Sequence, residues 1–135
     1  MRPDVESLID LATPLLDEIT LARPDMSAAT VAAAIRTRAG NIYTGVCIDV
    51  RCGMGFCAEP AAIAEMIKGR ETEMAMVVAV CDEGVLAPCG RCREFMMQVS
   101  PKNLDADMVL PGGRTAPLRA LLPDHWLTAE ASKTG

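Results

Sequence analysis

The sequence is poor in aromatic rings, histidine and positive charge. It has one Trp, one Tyr, two Phe and one His in 135 residues, so it cannot build a platform of several rings for stacking bases. Any substrate ring must share one or two of them. Lys and Arg number 13 against 18 Asp and Glu, a formal net charge of −5. Such a balance leaves no electrostatic footprint for a phosphate backbone, and nucleic acid is not an expected partner. There is no run of 18 apolar residues to cross a bilayer. The opening MRPDVESLID carries charges where a secretory signal needs an unbroken apolar stretch. No membrane partner is expected, and the expected location is the cytoplasm.

What is there suits one ordinary core. Half of the chain is hydrophobic, and residues 1–135 read as a single domain whose last residues, 129–135, are expected to fray. Val5, Leu8, Ile9, Leu11, Ala12, Leu15, Leu16 and Ile19 recur at spacings of three and four. This predicts an amphipathic helix from Val5 to Leu21, kinked or started late by Pro14. Ser27 to Thr37 and the β-rich Ile42 to Val50 flank the turn sequence Arg38-Ala39-Gly40-Asn41 and predict a hairpin. After a glycine-containing loop, Cys52 to Phe56, the apolar Ala61 to Ile67 predicts a helix closed by Gly69. Met74 to Cys81 is a continuous apolar run, the pattern of a central strand covered on both faces. A second helix is expected over Gly90 to Val99, then a strand at Met108 to Leu110, a Pro111-Gly112-Gly113 turn and a helical Pro117 to Leu122. This order implies an α/β fold, a three-layer α/β/α sandwich. Met54, Met66, Met74, Met76, Met96, Met97 and Met108 read as filler of the core and of subunit contacts, with Met96 and Met97 toward a neighbouring subunit.

The six cysteines lie at 47, 52, 57, 81, 89 and 92. A chain with its own core does not need them as staples, and clustered thiols in a reducing compartment point to metal or catalysis. Cys57 precedes the first buried helix, and Cys89 and Cys92 open the second. The 31 residues between Cys57 and Cys89 accommodate helix, return and central strand, so two helix starts meet beside one sheet. Helix N-termini favour thiolates, and three thiolates at one point favour zinc. Three protein ligands leave a position for water, as catalytic sites do. A fourth ligand from Cys47, Cys52 or His125 is the alternative. Glu59, two residues after Cys57, is placed to face the metal without ligating it and to act as general acid and base.

Cys57-Ala58-Glu59 followed by Pro88-Cys89-Gly90-Arg91-Cys92 resembles the zinc nucleoside deaminases in their three-cysteine form. Gly45-Val46, Arg93 and Leu121-Leu122-Pro123 match in order as well. They bring the chain nearest to the blasticidin S deaminases and the small cytidine deaminases, over roughly residues 5 to 127. The resemblance implies a mixed five-stranded sheet between helices and a homotetramer, or a homodimer, with composite active sites. It implies Zn2+ as cofactor and hydrolytic removal of the C4 amino group from a small cytosine-type nucleoside or nucleoside antibiotic. Glu59 would relay a proton from water to the ring nitrogen and then to the departing ammonia. The backbone N–H of Ala58 and the carbonyl of Pro88 would meet the base edge. Arg91 would draw charge from a zinc centre that three thiolates leave negative. Trp126 would stack on a base in a neighbouring subunit's pocket.

Cys47 and Asp49 stand where cytidine deaminases carry the asparagine and glutamate that hold ribose. They are the substrate-binding candidates, with a thiol as the weaker partner; a small buried core residue is the alternative for Cys47. Ala29 stands where an aromatic wall is expected. The substrate class therefore extends to another aminated heterocycle or a free base. Two readings of other kinds remain. Cys89-Gly90-Arg91-Cys92 at a helix start is also how thiol–disulfide oxidoreductases present their thiols, although Pro88, Cys57 and Glu59 have no use in that exchange. A catalytically silent, zinc-stabilised module would keep the fold, but nothing structural requires Glu59 in it.

Overall fold

The computed structural model describes residues 1–127, so the tail expected at 129–135 lies outside the described residues. Helix α1 (Pro3–Ala12) begins at a proline, whose fixed φ suits a first helical position, and carries Asp4 and Glu6 at the positive end of its dipole. Its buried stripe is Val5, Leu8 and Ala12. The helix stops at Ala12, not at Leu21. Pro14 has no N–H for the next helical bond, Thr13–Leu15 tightens into a 3-10 turn, and Ile19–Thr20 becomes the short strand β1.

Strands β2 (Ser27–Thr37) and β3 (Ile42–Asp49) form the expected hairpin, with Arg36 opposite Ile42. Helix α2 (Ala58–Lys68), strand β4 (Met74–Cys81), strand β5 (Gly84–Leu86) and helix α3 (Gly90–Val99) follow. Strands β6 (Asp107–Val109) and β7 (Thr115–Pro117) and helix α4 (Leu118–Leu121) complete the order. Among the described residues the sheet has seven strands where five were expected. Five of them, β3-β2-β4-β6-β7, lie side by side, and Ala32 faces Val46 on one side and Val80 on the other. β1 pairs with β2 beyond the end of β4, and β5 pairs with β4 beyond the end of β6. Segments of two or three residues carry no readable period. Among the described residues only β4 and β6 run parallel, with α3 in the connection between them.

Alternation along β2 and β4 builds the three layers. Ala32, Ala34, Met76, Val78 and Val80 pack with α1, and Ala33, Ile35, Val77 and Ala79 pack with α2 and α3. One extra residue between the pairs Arg36–Met76 and Thr37–Met74 turns Met74 to the α2–α3 side. Met96 and Met97 have no exposed surface and fill this chain's own core, so they do not face a neighbour; Met54 is 73% exposed and is not core. Two devices set the helices. A Cβ on Gly45 would collide with the backbone of Ala61 and Ala62, so the glycine lets α2 lie directly on β3. The fully buried Asn103 accepts the Met74 N–H at 2.8 Å and donates to the carbonyls of Thr72 and Met96, both at 3.0 Å. It ties the start of β4 to the end of α3.

Candidate active site

Cys57 and Cys89 occupy equivalent places on two helices. Each immediately precedes the first helical residue in extended backbone, with φ and ψ of −68° and 167° at Cys57 and −71° and 169° at Cys89. Cys92 adds its sulfur from the first turn of α3. Cys57 Sγ lies 3.7 Å from Cys89 Sγ, Cys89 Sγ lies 3.4 Å from Cys92 Sγ, and all three fall within 4.8 Å of one another. Zinc–sulfur bonds of about 2.3 Å in a tetrahedron place sulfurs about 3.8 Å apart, so this donor set fits zinc. Cys47, Cys52 and His125, the alternatives for a fourth ligand, are not part of the cluster.

The electrostatics agree with a cation there. Burial raises the Cys89 thiol, but the N–H groups of Cys92 and Arg91 and the neighbouring thiols outweigh it and hold Cys89 below the ordinary cysteine value. Burial pushes Cys57 and Cys92 up, helped at Cys57 by the Cys89 thiol and at Cys92 by the Glu59 charge. Three crowded sulfurs of this kind are thiolates together only around a positive ion. Glu59, in the first turn of α2, is 4% exposed. Burial holds its carboxyl above the usual glutamate range, partly offset by its own N–H and the Cys92 thiol.

A cavity of about 480 Å³ joins these groups to the hairpin. Cys57, Ala58, Glu59, Cys89 and Arg91 line it from the helix starts, and Cys47 and Asp49 line it from β3. Gly53, Gly55 and Phe56 bring in the loop ahead of Cys57. Pro88 and Trp126 are not among its walls. The buried Pro88 carbonyl accepts Arg93 Nε–H at 2.8 Å, and the same guanidinium donates to the Leu121 carbonyl at 3.1 Å. Trp126 is 66% exposed, and its backbone N–H donates to Glu94 Oε1 at 3.0 Å.

Cys47 Sγ accepts the Val31 N–H at 3.3 Å and lies 3.2 Å from Thr30 Oγ1, which is 3.4 Å from Asp49 Oδ2. This contact depends on an irregularity in β2, where the pairing with β3 shifts between Ala28 and Ala32 and Ala29 takes a φ of +64°. Left-handed backbone costs an alanine about 1–2 kcal/mol. The consequence corrects the expected place of the missing aromatic wall: Ala29 lines a separate cleft with Leu16, Asp17 and Asp82, and Val31 reaches the cavity. Nothing in the sequence pattern singles out Val31. Leu86 and Ala87, also cavity walls, follow from the turn into β5, and Asp82-Glu83-Gly84, with Gly84 at φ +120°, is the signal for it.

Residues 6–106 match the family described as the cytidine and deoxycytidylate deaminase zinc-binding region. The chain is 34% identical over 110 residues to blasticidin-S deaminase from Bacillus cereus, covering 74% of this chain and 75% of that protein. It is 30% identical over 120 residues to cytidine deaminase 3 from Arabidopsis thaliana, covering 80% of this chain and 53% of that one. Among solved structures, cytidine deaminase from Mycobacterium tuberculosis has a TM-score of 0.76 at 26% identity, over 93% of this chain and 98% of that chain. Cytidine deaminase from Bacillus anthracis has a TM-score of 0.72 at 27% identity, over 96% and 94%.

Proposed function

The chain belongs to the cytidine and deoxycytidylate deaminase family, and on that premise we propose that Cys57, Cys89 and Cys92 hold its zinc and that Glu59 moves the protons of the reaction. Family membership makes it a zinc-dependent hydrolytic deaminase of cytosine-type small molecules. The observation that supports the residue assignment is three sulfurs within 4.8 Å of one another, two of them, those of Cys57 and Cys89, on residues that line one cavity together with a carboxyl that is 4% exposed.

Bound zinc supplies Lewis acidity toward water. Glu59 would take a proton from the water whose oxygen bonds to the ring carbon and pass it to the ring nitrogen, then move the second proton of that oxygen to the amino group, which leaves as ammonia while the carbonyl forms. A carboxyl raised toward neutrality by burial serves both directions of transfer. The Ala58 N–H and the Pro88 carbonyl orient the ring edge, the carbonyl also accepting Arg93 Nε–H. Arg91 draws charge from the thiolates, and Cys47 and Asp49 meet the ring's substituent. Residues 1–135 act as a single domain, and the assembly is a homotetramer in the cytoplasm, a homodimer being the smaller alternative. Trp126, exposed and outside its own chain's cavity, stacks on a ring in a neighbouring copy. Light scattering reads the assembly directly, and a monomer would remove that role.

The decisive experiment is ammonia release by zinc-loaded protein from cytidine, deoxycytidine, cytosine, blasticidin S, adenosine and guanine, with Glu59→Ala as control. Turnover of a cytosine-type ring that vanishes in the variant is the expected result. Silence on the whole panel with zinc bound would favour an unlisted aminated ring or a silent site. Failure to bind zinc would overturn the assignment and return thiol–disulfide exchange at Cys89 and Cys92.

A further inference from the structure

The deaminated carbon must approach Glu59 and the sulfur cluster, so the rest of a bound ligand extends toward β3, where Cys47 and Asp49 form the opposite wall of the same cavity. These two side chains differ in what they offer. Cys47 is 4% exposed, its sulfur already accepts the Val31 N–H at 3.3 Å, and Thr30 Oγ1 stands 3.2 Å away. A thiol so engaged, weak as donor and acceptor to begin with, presents a polarisable surface and no free hydrogen-bonding direction. A hydroxyl set against it would give up water and gain no partner. Asp49, two residues on and therefore on the same face of the strand, is exposed and accepts only. Its side-chain donors are Thr30 Oγ1 at 3.4 Å, which lines the neighbouring cleft and not this cavity, and the Cys47 thiol at 3.6 Å. The charges around the cavity favour a cation over an anion: Asp49 and Glu59 face Arg91, the one cation among the described residues lining it.

We propose that Asp49 alone reads the substituent of the cytosine-type ring, that it favours a cationic nitrogen donor over a neutral hydroxyl, and that Cys47 is a silent surface that reads no hydroxyl. The inference rests on the deaminase reading and narrows its substrate class. Cys47 thus sets specificity by what it withholds, because Thr30 and Val31, brought in by the irregular turn of β2, and Asp49 itself already occupy its sulfur.

The test uses 1-(3-aminopropyl)cytosine, 1-methylcytosine and cytidine. Binding is measured by calorimetry on the zinc-loaded Glu59→Gln protein, and turnover on zinc-loaded protein with Glu59 intact. The aminopropyl ring is expected to bind about tenfold tighter than the methyl ring, the size of one charge-assisted hydrogen bond. Adding Asp49→Asn should erase that ratio, and adding Cys47→Ala, which removes a thiol contact to Asp49 but keeps the carboxylate, should not lower it by more than about twofold. Cys47→Asn should strengthen cytidine alone, since an amide restores a donor and an acceptor. Thermal unfolding screens each variant, with Cys47→Ser standing in if the alanine protein does not fold. Equal binding of the aminopropyl and methyl rings overturns the inference. So does a ratio that survives Asp49→Asn or is lost with Cys47→Ala or Cys47→Ser. If the rings are turned over without regard to substituent, this inference falls and the deaminase reading stands. If none is turned over by zinc-loaded protein, the deaminase reading falls first.

Discussion

Glu59 shows how position and burial divide the work at the scale of one residue. Its place two residues after Cys57 is written in the sequence, and the burial that raises its carboxyl comes from the packing of α2. Glu59→Gln should keep the shape and lower kcat by about 10²–10⁴-fold, the range of a lost general acid and base, while metal content by atomic absorption stays that of the parent. Cys92→Ala should do the opposite and lose the metal, because Cys92 is the fully buried corner of the sulfur cluster. The motif residues were legible because Cys-Ala-Glu and Pro-Cys-Gly-Arg-Cys are local patterns whose spacing fixes their geometry at a helix start. The pairing of Thr30 with Cys47 was not legible, since it spans 17 positions and depends on a strand irregularity that no residue type announces.

At the scale of elements, the site exists because two helices start at the same depth. Gly45 governs one of them. Gly45→Ala would drive a methyl group into the backbone at Ala61 and Ala62, and it should cost about 1–3 kcal/mol of stability by urea unfolding as overpacking does. Activity should fall with it, as α2 carries Cys57 and Glu59. Asn103 governs the other. Asn103→Ala would strip partners from the buried Met74 N–H and from the Thr72 and Met96 carbonyls, at about 2–3 kcal/mol on the same measurement. The long elements were readable from periodicity, and α3 was bounded at Gly90 and Val99 as expected. The first helix was overextended because the apolar spacing continues past Pro14, and only the missing N–H ends it.

For the whole molecule, acid and chelators are the useful probes. Tyr43, Thr37 and Asn41 bond Glu71 and hold its carboxyl below the ordinary value of 4.5, with the Tyr43 hydroxyl at 2.7 Å the largest influence. A carboxyl lowered in the folded state stabilises it above that ordinary value and loses the contribution as pH falls through the lower folded value. The urea midpoint of Glu71→Gln should therefore lie below the parent's at pH 7, and the two should converge as the pH drops below about 4.5. Chelation acts at the opposite end of α2. Zinc bound to the folded chain stabilises it by mass action, so its removal should lower Tm by about 5–10 °C, measured by calorimetry with and without EDTA. Loss of that shift in Cys92→Ala would tie it to the sulfur cluster.

The sequence by itself determined the chemistry and the layers: three cysteines and a glutamate at two helix starts, and a central strand apolar on both faces. Periodicity and short motifs are local, so physical chemistry reads them without the fold. The tertiary structure decided what surrounds that chemistry. It put Met96 and Met97 inside the chain's own core, replaced Ala29 with Val31 at the cavity wall, and set Cys47 against Thr30 while leaving Asp49 exposed. Those outcomes rest on strand register and on contacts between residues far apart in the chain, and these are fixed only when the sheet closes.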